Sequence, residues 1–456
     1  MNDRLRYRAA RFFEGLLRFP PTRQAFVGFA VAGHGVLRVL RRRDAARRAV
    51  LLTSRLLAGI HGAAASAAVR RLEERVIQEC RHTENPLRAE FQRRDAAAIC
   101  QEFRGYGTEY ASALKFPRPK EDPCREGDLI VLKPRVSVAE KGVVLVKYND
   151  AFERFAALYD LERLAAAYRI VLEPSTWGYA DAAILMYLGL PTDVIVQAQH
   201  HADREFIDRV GGNLTAIPLG AADWVDPEVF VALEPSRRDI DVIMVASWLS
   251  LKRHDVLFRA VRHARKVVRR LVLVGYASGG RTSEDIRKEA RVAGVADLIE
   301  IHERIPPTEV ASLLSRSKVS VMLARREGAN KALSESLFAG TPVVVTADNI
   351  GVNREMVNAA TGRFATDSEL SRAIIETVSG ARDYRPREWA LANTGYLNST
   401  RKLEDAVRGL AQRDNEDWTR PLFRKKNMPN LVFADDGERR QARQALQELR
   451  RFLRGT

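Results

Sequence analysis

From about residue 127 onward the chain is written in short apolar runs separated by longer amphipathic stretches. DLIVLKP (128–134), GVVLVKY (142–148), RIVLEPS (169–175), DVIVQAQ (193–199) and LTAIPLG (214–220) are rich in Val, Ile and Leu. Runs of that kind read as strands buried on both faces. Between two of them, FERFAALYDLERLAAAY (152–168) has the length and spacing of a helix. The series breaks at DPEVFVALEPSRRD (226–239) and then starts again. IDVIMVAS (240–247), RLVLVGY (270–276), LIEIHE (298–303), VSVMLA (319–324) and TPVVVT (341–346) are the second set of strands. Helical stretches at 253–268, 282–294, 307–317 and 331–340 fill the gaps. This alternation predicts two α/β units in tandem, each a parallel sheet covered by helices. Such sheets carry their sites outside the carboxyl ends of the strands. The cleft between the two units is therefore the expected site.

The two ends of the chain differ from this middle. AARRAVLLTSRLLAGIHGAAASAAVRRLEERVIQEC (45–80) is rich in Ala, Leu and Arg and almost free of strand signals, so residues 1–126 read as a helical extension. Proline-containing breaks at FPPT (19–22) and KFPRPKEDPCREG (115–127) mark boundaries in it. At the other end, ERRQARQALQELRRFLRG (438–455) places Ala442, Leu446, Leu449 and Leu453 on one stripe, which predicts a helix docked on a neighbouring domain. The divisions expected are 1–126, a first α/β domain at 127–232, a second at 233–385, and a helical tail at 386–456.

Charge adds one thing to this picture. The 456 residues carry a net charge of +16, and the first fifty hold twelve arginines against Asp3, Glu14 and Asp44. An anionic partner is implied: a phosphate-bearing substrate, a membrane surface or nucleic acid. The aromatics of the basic front are not interleaved with its arginines for stacking, and no nucleic-acid motif is present, so nucleic acid ranks last. A solvated arginine-rich face ranks first and contact with an anionic membrane second. The front resembles a transit peptide in composition but runs into a long helical region without a cleavage-like break. No apolar stretch near the start reaches the roughly 20 residues of a spanning helix. Cys80, Cys100 and Cys124 are widely spaced and form no CxxC pair. That pattern fits a reducing cytoplasm rather than a disulfide framework.

The densest chemistry lies in RREGANKALSESLFAGTPVVVT (325–346). A buried strand ends before Arg325, Glu327 and Gly328 form a loop, and Asn330 is a suitable N-cap for a helix over 331–339. Gly340 and Pro342 stop that helix. Its free N–H groups make an anion site. Lys331 in the first turn opposes the helix dipole, which makes sense if a phosphate sits there. Glu335, one turn on, suits a ribose diol because a carboxylate accepts two hydrogen bonds. The competing reading is a surface Lys331–Glu335 pair at i, i+4, worth a few tenths of a kcal/mol.

EGANKALSE resembles the E-x7-E signature of retaining glycosyltransferases of the GT-B fold, family 4. GTPVVV and NAATGRF (358–364) are similar to that family's downstream pattern, and TAIPLGAADWVDPEVF (215–230) to its interdomain link. IMVASWLSLKRHDVLFRA (243–260) and LVLVGYASGG (271–280) resemble the opening of its nucleotide-sugar domain. The resemblance covers about 190–380 well, 128–190 loosely and 1–126 not at all. It implies two Rossmann-like domains facing a central cleft, and a hexosyl transfer from a nucleotide sugar to a saccharide or lipid-linked acceptor with retention. Bacterial polysaccharide biosynthesis, in the cytoplasm or at the inner membrane face, is the implied setting. Glu327 would then meet the transferred sugar, with Lys252 on the departing diphosphate. The backbone of Gly328, Ala329, Asn330 and Lys331 would hold that diphosphate, Glu335 would bind the ribose, and the backbone around Arg304 and Ile305 would meet the base. Where the family places an arginine this chain has Ser247, with Arg253 nearby. No metal or cofactor is expected if lysine and helix dipole carry the charge.

The first unit should supply the acceptor face. EPSTWGYAD (173–181) offers Glu173 and Trp177, an acid and an aromatic that suit a sugar, although Trp177 packed inward is slightly favoured. His200 or His201 could polarise a hydroxyl; zinc would want further ligands at set spacing. An epimerase or phosphorylase on the same fold, or a degenerate binding module, are the alternatives.

Overall fold

The computed structural model describes residues 126–454, apart from 175–183, 185, 279, 326, 350 and 428–430, together with scattered positions within 21–32. The expectations for the basic front, and for Trp177, lie outside the described residues.

The first unit is a five-stranded sheet in the order β1-β2-β3-β4-β5. Its strands are β1 (Leu129–Lys133), β2 (Gly142–Lys147), β3 (Tyr168–Glu173), β4 (Val194–Gln197) and β5 (Leu214–Ile217). Helices α1 (Asn149–Leu158) and α2 (Leu161–Ala165) follow β2, and α3 (His201–Val210) follows β4. β2 to β5 pair in parallel, but β1 runs antiparallel to β2. This departs from the all-parallel sheet expected. The eight residues between β1 and β2 are too few for the crossover a parallel pair needs, which takes a dozen or more.

The second unit is a six-stranded sheet in the order β11-β10-β9-β6-β7-β8. It is built from β6 (Ile240–Val245), α4 (His254–His263), β7 (Leu271–Gly275), α5 (Ser283–Ala293), β8 (Ile299–Glu303), α6 (Pro307–Ser315) and β9 (Ser317–Met322). Then come α7 (Lys331–Phe338), β10 (Val343–Thr346), β11 (Gly362–Ala365), α8 (Leu370–Ser379) and α9 (Pro386–Asn393). All its strand pairs are parallel. β6, β7, β9 and β10 are buried almost throughout, as continuous Val/Ile/Leu runs require. β8 is half-exposed because it closes one edge. The chain works outward from β6 to β8, then returns to lay β9 on β6's other side. That reversal opens a crevice at the carboxyl ends of β6 and β9.

The tail does not stop at the second unit. α10 (Tyr396–Arg413), the strand pair β12 (Lys425–Asn427) and β13 (Leu431–Phe433), and α11 (Asp436–Glu448) return to the first sheet. Leu403, Val407, Leu422, Phe433, Ala442, Leu446, Leu449 and Phe452 join the core of β1–β5, with Leu453 packed partly against it. Two chain passages connect the units and are tied together. Thr394 Oγ1 donates to Asp223 Oδ1 at 2.8 Å, and Tyr396 N donates to Val225 O at 3.1 Å. Burial pushes the Asp223 carboxyl up, opposed by donors on Gln199 and Thr394 and from the Gly220 backbone. Among the described residues no helix is long and apolar enough to cross a membrane.

Candidate active site

Two loops flank the crevice of the second sheet. One follows β6 and carries Lys252; the other follows β9 and carries Glu327. They are 75 residues apart in sequence, yet Lys252 Nζ donates to both carboxylate oxygens of Glu327, at 2.7 and 2.8 Å. Both side chains are largely covered. The reversal of strand order is what brings them together.

The Glu327 loop is held from behind. Gly351, at φ +107°, lies so close that a Cβ there would collide with the Glu327 carbonyl oxygen. Only glycine allows this approach at that backbone angle. Asn349 Nδ2 donates to Ala324 O at 2.7 Å, and Asn349 Oδ1 accepts from Val352 N at 3.0 Å. Gly351 and Asn349 escaped the sequence reading; the only local signal was a turn-like ADNIGVN stretch after β10.

α7 begins at Lys331, as expected, and Asn330 stands at its N-cap position without a side-chain capping bond. Gly328, Ala329 and Asn330 are half-buried in the loop that leads into the helix. Lys331 Nζ lies 3.5 Å from Glu335 Oε1, one turn along. Burial pushes the Glu335 carboxyl above the usual carboxylate range, and Lys331 beside it works against that rise. Burial holds Lys331 below the usual lysine range; Glu335 opposes this and the charge of Lys147, from the first unit, adds to it. A half-buried pair of this kind is not the solvated i, i+4 surface pair of the competing sequence reading.

Arg253 is placed differently from expectation. It sits at φ +62°, capping α4, and its guanidinium turns away from the β6 loop. It donates to Leu323 O at 3.0 Å and to both oxygens of Asp367 at 2.6 Å. Arg253 therefore ties the β6 and β9 loops to β11 rather than standing ready beside Lys252. Nη2 makes both carboxylate contacts and Nη1 the one to Leu323 O, charge-assisted bonds that hold the guanidinium there. Arg325 joins the same cluster, 3.4 Å from Asp367 and 3.5 Å from Asp348. Ser247 is buried between two ladder contacts, Ala246 N to Val274 O at 2.9 Å and Trp248 N to Tyr276 O at 3.0 Å. Next to it, Trp248 Nε1 donates to Glu303 Oε1 at 2.7 Å. That contact and Ser283 keep the Glu303 carboxyl below its usual range. Arg304, at φ +53°, follows, with Ile305 half-buried against the core. Under Lys252, His254 is fully buried; burial and the charges of Arg281 and Lys252 lower its pKa to about 3.

On the first unit, the candidate acceptor residues separate. Glu173 is completely buried at the carboxyl end of β3, where Lys425 Nζ donates to its Oε2 at 2.6 Å. It is not the exposed sugar ligand expected, because a strand from 252 residues away covers and neutralises it. Lys425, equally buried, is lowered to about 8 by burial, with Glu173 opposing. It also lies over the Trp224 ring, 3.9 Å from the centroid. His200 caps α3 beyond the carboxyl end of β4, with Nδ1 3.9 Å from Asp203. His201 is exposed, 3.4 Å from Glu205. Among the described residues, no three of His, Cys, Asp and Glu gather as metal ligands.

Residues 226–387, the whole second unit from the interdomain link to α9, match the family described as glycosyl transferases group 1. The match takes in 162 of the chain's 456 residues and shows a likeness of that segment to the family. Lys252, Glu327, Lys331 and Glu335 all lie within it. No curated protein matches the chain. Among solved structures, sucrose-phosphate synthase from Thermosynechococcus elongatus aligns at 17% identity with a TM-score of 0.47, over 59% of this chain and 74% of that one. HepE of Anabaena, solved with UDP and glucose, aligns at 15% identity with a TM-score of 0.45, over 58% of this chain and 78% of that one. The segment that matches the family coincides with the sheet whose switch point carries the Lys252–Glu327 pair.

Proposed function

We propose that this protein transfers a hexosyl group from a nucleotide-sugar donor to a saccharide or lipid-linked acceptor, with retention of anomeric configuration. The observation that carries the reading is the Lys252–Glu327 pair, set at the switch point of a group 1 transferase sheet and beside the first turn of α7. An ammonium has three N–H groups. Two of those on Lys252 hold Glu327 in place, and the third is left for a phosphate oxygen.

The chemistry follows from that placement. The bond from the anomeric carbon to the diphosphate oxygen breaks, and a bond to the acceptor hydroxyl oxygen forms on the same face. The acceptor's proton goes to the departing diphosphate. Lys252 and the N–H groups from Gly328 to Lys331 stabilise the charge that develops on the leaving group. Glu327 binds the hydroxyls of the transferred sugar, and Glu335 the ribose. Lys252 and the backbone N–H groups carry part of this charge, and the reading invokes no metal. Contact of the basic front with an anionic membrane is part of the same proposal; loss of vesicle binding on removal of residues 1–50 supports it, and unchanged binding refutes it.

A second reading, a nucleotide-binding module without turnover, is favoured by the pairing of Arg253 with Asp367, which leaves Ser247 without an arginine beside it. One experiment separates the two. Purified protein is mixed with a panel of nucleotide sugars, with and without EDTA, and both thermal shift and free nucleoside diphosphate are followed. Stabilisation by one donor with diphosphate release that EDTA does not reduce supports the metal-free transferase. Stabilisation without release selects the binding module, and inhibition by EDTA overturns the metal-free step.

A further inference from the structure

The charges around the start of α7 balance. Lys252 pairs with Glu327, Arg253 with Asp367, Arg325 with Asp367 and Asp348, and Lys331 with Glu335. Each of these four described cations already meets a carboxylate. These four cations therefore bring little net positive charge to a ligand that carries two or three negative charges.

The first unit is unbalanced in the opposite sense. Lys147 ends β2 at the sheet's carboxyl edge and leans on Tyr148, with Nζ 5.0 Å from the ring centroid. Its polar neighbours are Asn427 Oδ1 at 3.5 Å and Glu173 Oε1 at 3.8 Å. Glu173 is already engaged by Lys425 at 2.6 Å. Two ammonium groups share one carboxylate, and its Oε1 has no hydrogen-bond partner although fully buried. Lys425 is sealed in, whereas Lys147 keeps part of its surface open.

The backbone around Lys147 is built rather than incidental. Tyr148 sits at φ +74°, ψ 138°, a conformation a bulky residue adopts only under constraint. Asn427 is pinned by its own bond to Ala221 O at 2.6 Å. Ala221 belongs to the 3-10 turn Ala221–Trp224, which packs against α7 on one side and β12 on the other. This run of contacts connects the Lys147 edge with the helix that starts at Lys331. The two ammonium groups are near enough for Lys147 to depress Lys331. Like charges on separate units repel, and an anion between them would relieve that repulsion.

We propose that Lys147 is a ligand-binding residue of the first unit, which reaches across the cleft to the donor's diphosphate and supplies positive charge that the paired cations of the second unit do not. The inference rests on the nucleotide-sugar reading above. It assigns a residue of the acceptor-side sheet to the donor's leaving group, so the group is fully clamped only when both units close on it.

The test is titration calorimetry on the full chain with UDP, GDP and ADP, and with the corresponding nucleosides, at two salt concentrations. Lys147→Gln is expected to weaken the nucleoside diphosphate that wild type binds by about tenfold, the scale of one charge-assisted hydrogen bond. Affinity for the uncharged nucleoside should not change, and the salt dependence should flatten. Lys147→Arg should restore most of the loss, which a merely structural defect would not allow. Arg326→Gln, which removes the arginine that precedes Glu327 in sequence, is the comparison. If Lys147→Gln binds the diphosphate as wild type does, the inference is overturned while the transferase reading stands. If Arg326→Gln alone loses affinity, the compensating charge is Arg326 and the inference again fails. If wild type binds no nucleoside diphosphate, both readings fall together.

Discussion

The two sheets end in polar clusters of different construction. At the second sheet, Lys252 comes from the loop after β6, Glu327 from the loop after β9, and Lys331 and Glu335 from α7, all of one α/β unit, and all keep some exposure. At the first sheet, Glu173 is matched by Lys425, with both side chains wholly buried and the partner delivered by the returning tail. The difference separates a working cluster from a fastening one. A site that must exchange partners with a ligand keeps its ion pairs near solvent, where their cost of separation is small. A pair that only joins the tail to the sheet can be sealed, because it never needs to open.

This contrast can be broken by substitution, and the largest effect is expected at the fastening pair. Glu173→Ala leaves Lys425 charged and buried, so unfolding free energy should fall by about 3–5 kcal/mol. Chemical denaturation measures it. A loss under 1 kcal/mol would mean that the cluster is hydrated and the contrast false. At the working pair, Lys252→Ala should lower turnover on the order of a hundredfold or more, with a small change in melting temperature. Equal losses in both would make Lys252 a fastening residue too.

Beneath the working pair lies His254, whose pKa of about 3 stands below its ordinary 6.5. The sign follows from proton uptake. Between those values the unfolded chain takes up a proton that the folded chain refuses, so stability falls as pH drops from about 6.5 toward 3. His254→Leu should remove that share of the acid loss, on the order of 3 kcal/mol at pH 4. Parallel pH–stability curves for the two proteins would refute it. The smallest effect is expected at the ribose carboxylate. Glu335→Ala should weaken nucleoside diphosphate binding by about tenfold by calorimetry, and unchanged affinity would remove Glu335 from the site.

Much of the second unit was legible along the chain. A parallel strand buried on both faces is a continuous apolar run, and β6, β7, β9 and β10 lie within about two residues of the runs read for them. β11 was missed, because GRFA is short and half-polar and is fixed by pairing with β10 rather than by its own pattern. The loop between β9 and α7 was readable for the same local reason as the strands: Gly328, Asn330 and Gly340 signal a turn, a cap and a stop within sixteen residues of one another. The antiparallel β1 was not readable from its apolar content, which is the same in either direction. Only the length of its link to β2 speaks to that.

The sequence by itself determined where most strands and helices of the two α/β units lie, and which loop and helix carry the acids Glu327 and Glu335. Those properties depend on periodicity and on turn residues, which act over a few positions. Tertiary structure alone decided the pairing of charges. Arg253 and Lys252 are neighbours in the chain, yet one turns to Asp367 and the other to Glu327. Glu173 reads as an available acid until the returning tail brings Lys425 against it. Ion pairs form between whatever the folded backbone brings within a few ångströms, and across 75 or 252 residues no local pattern encodes that meeting.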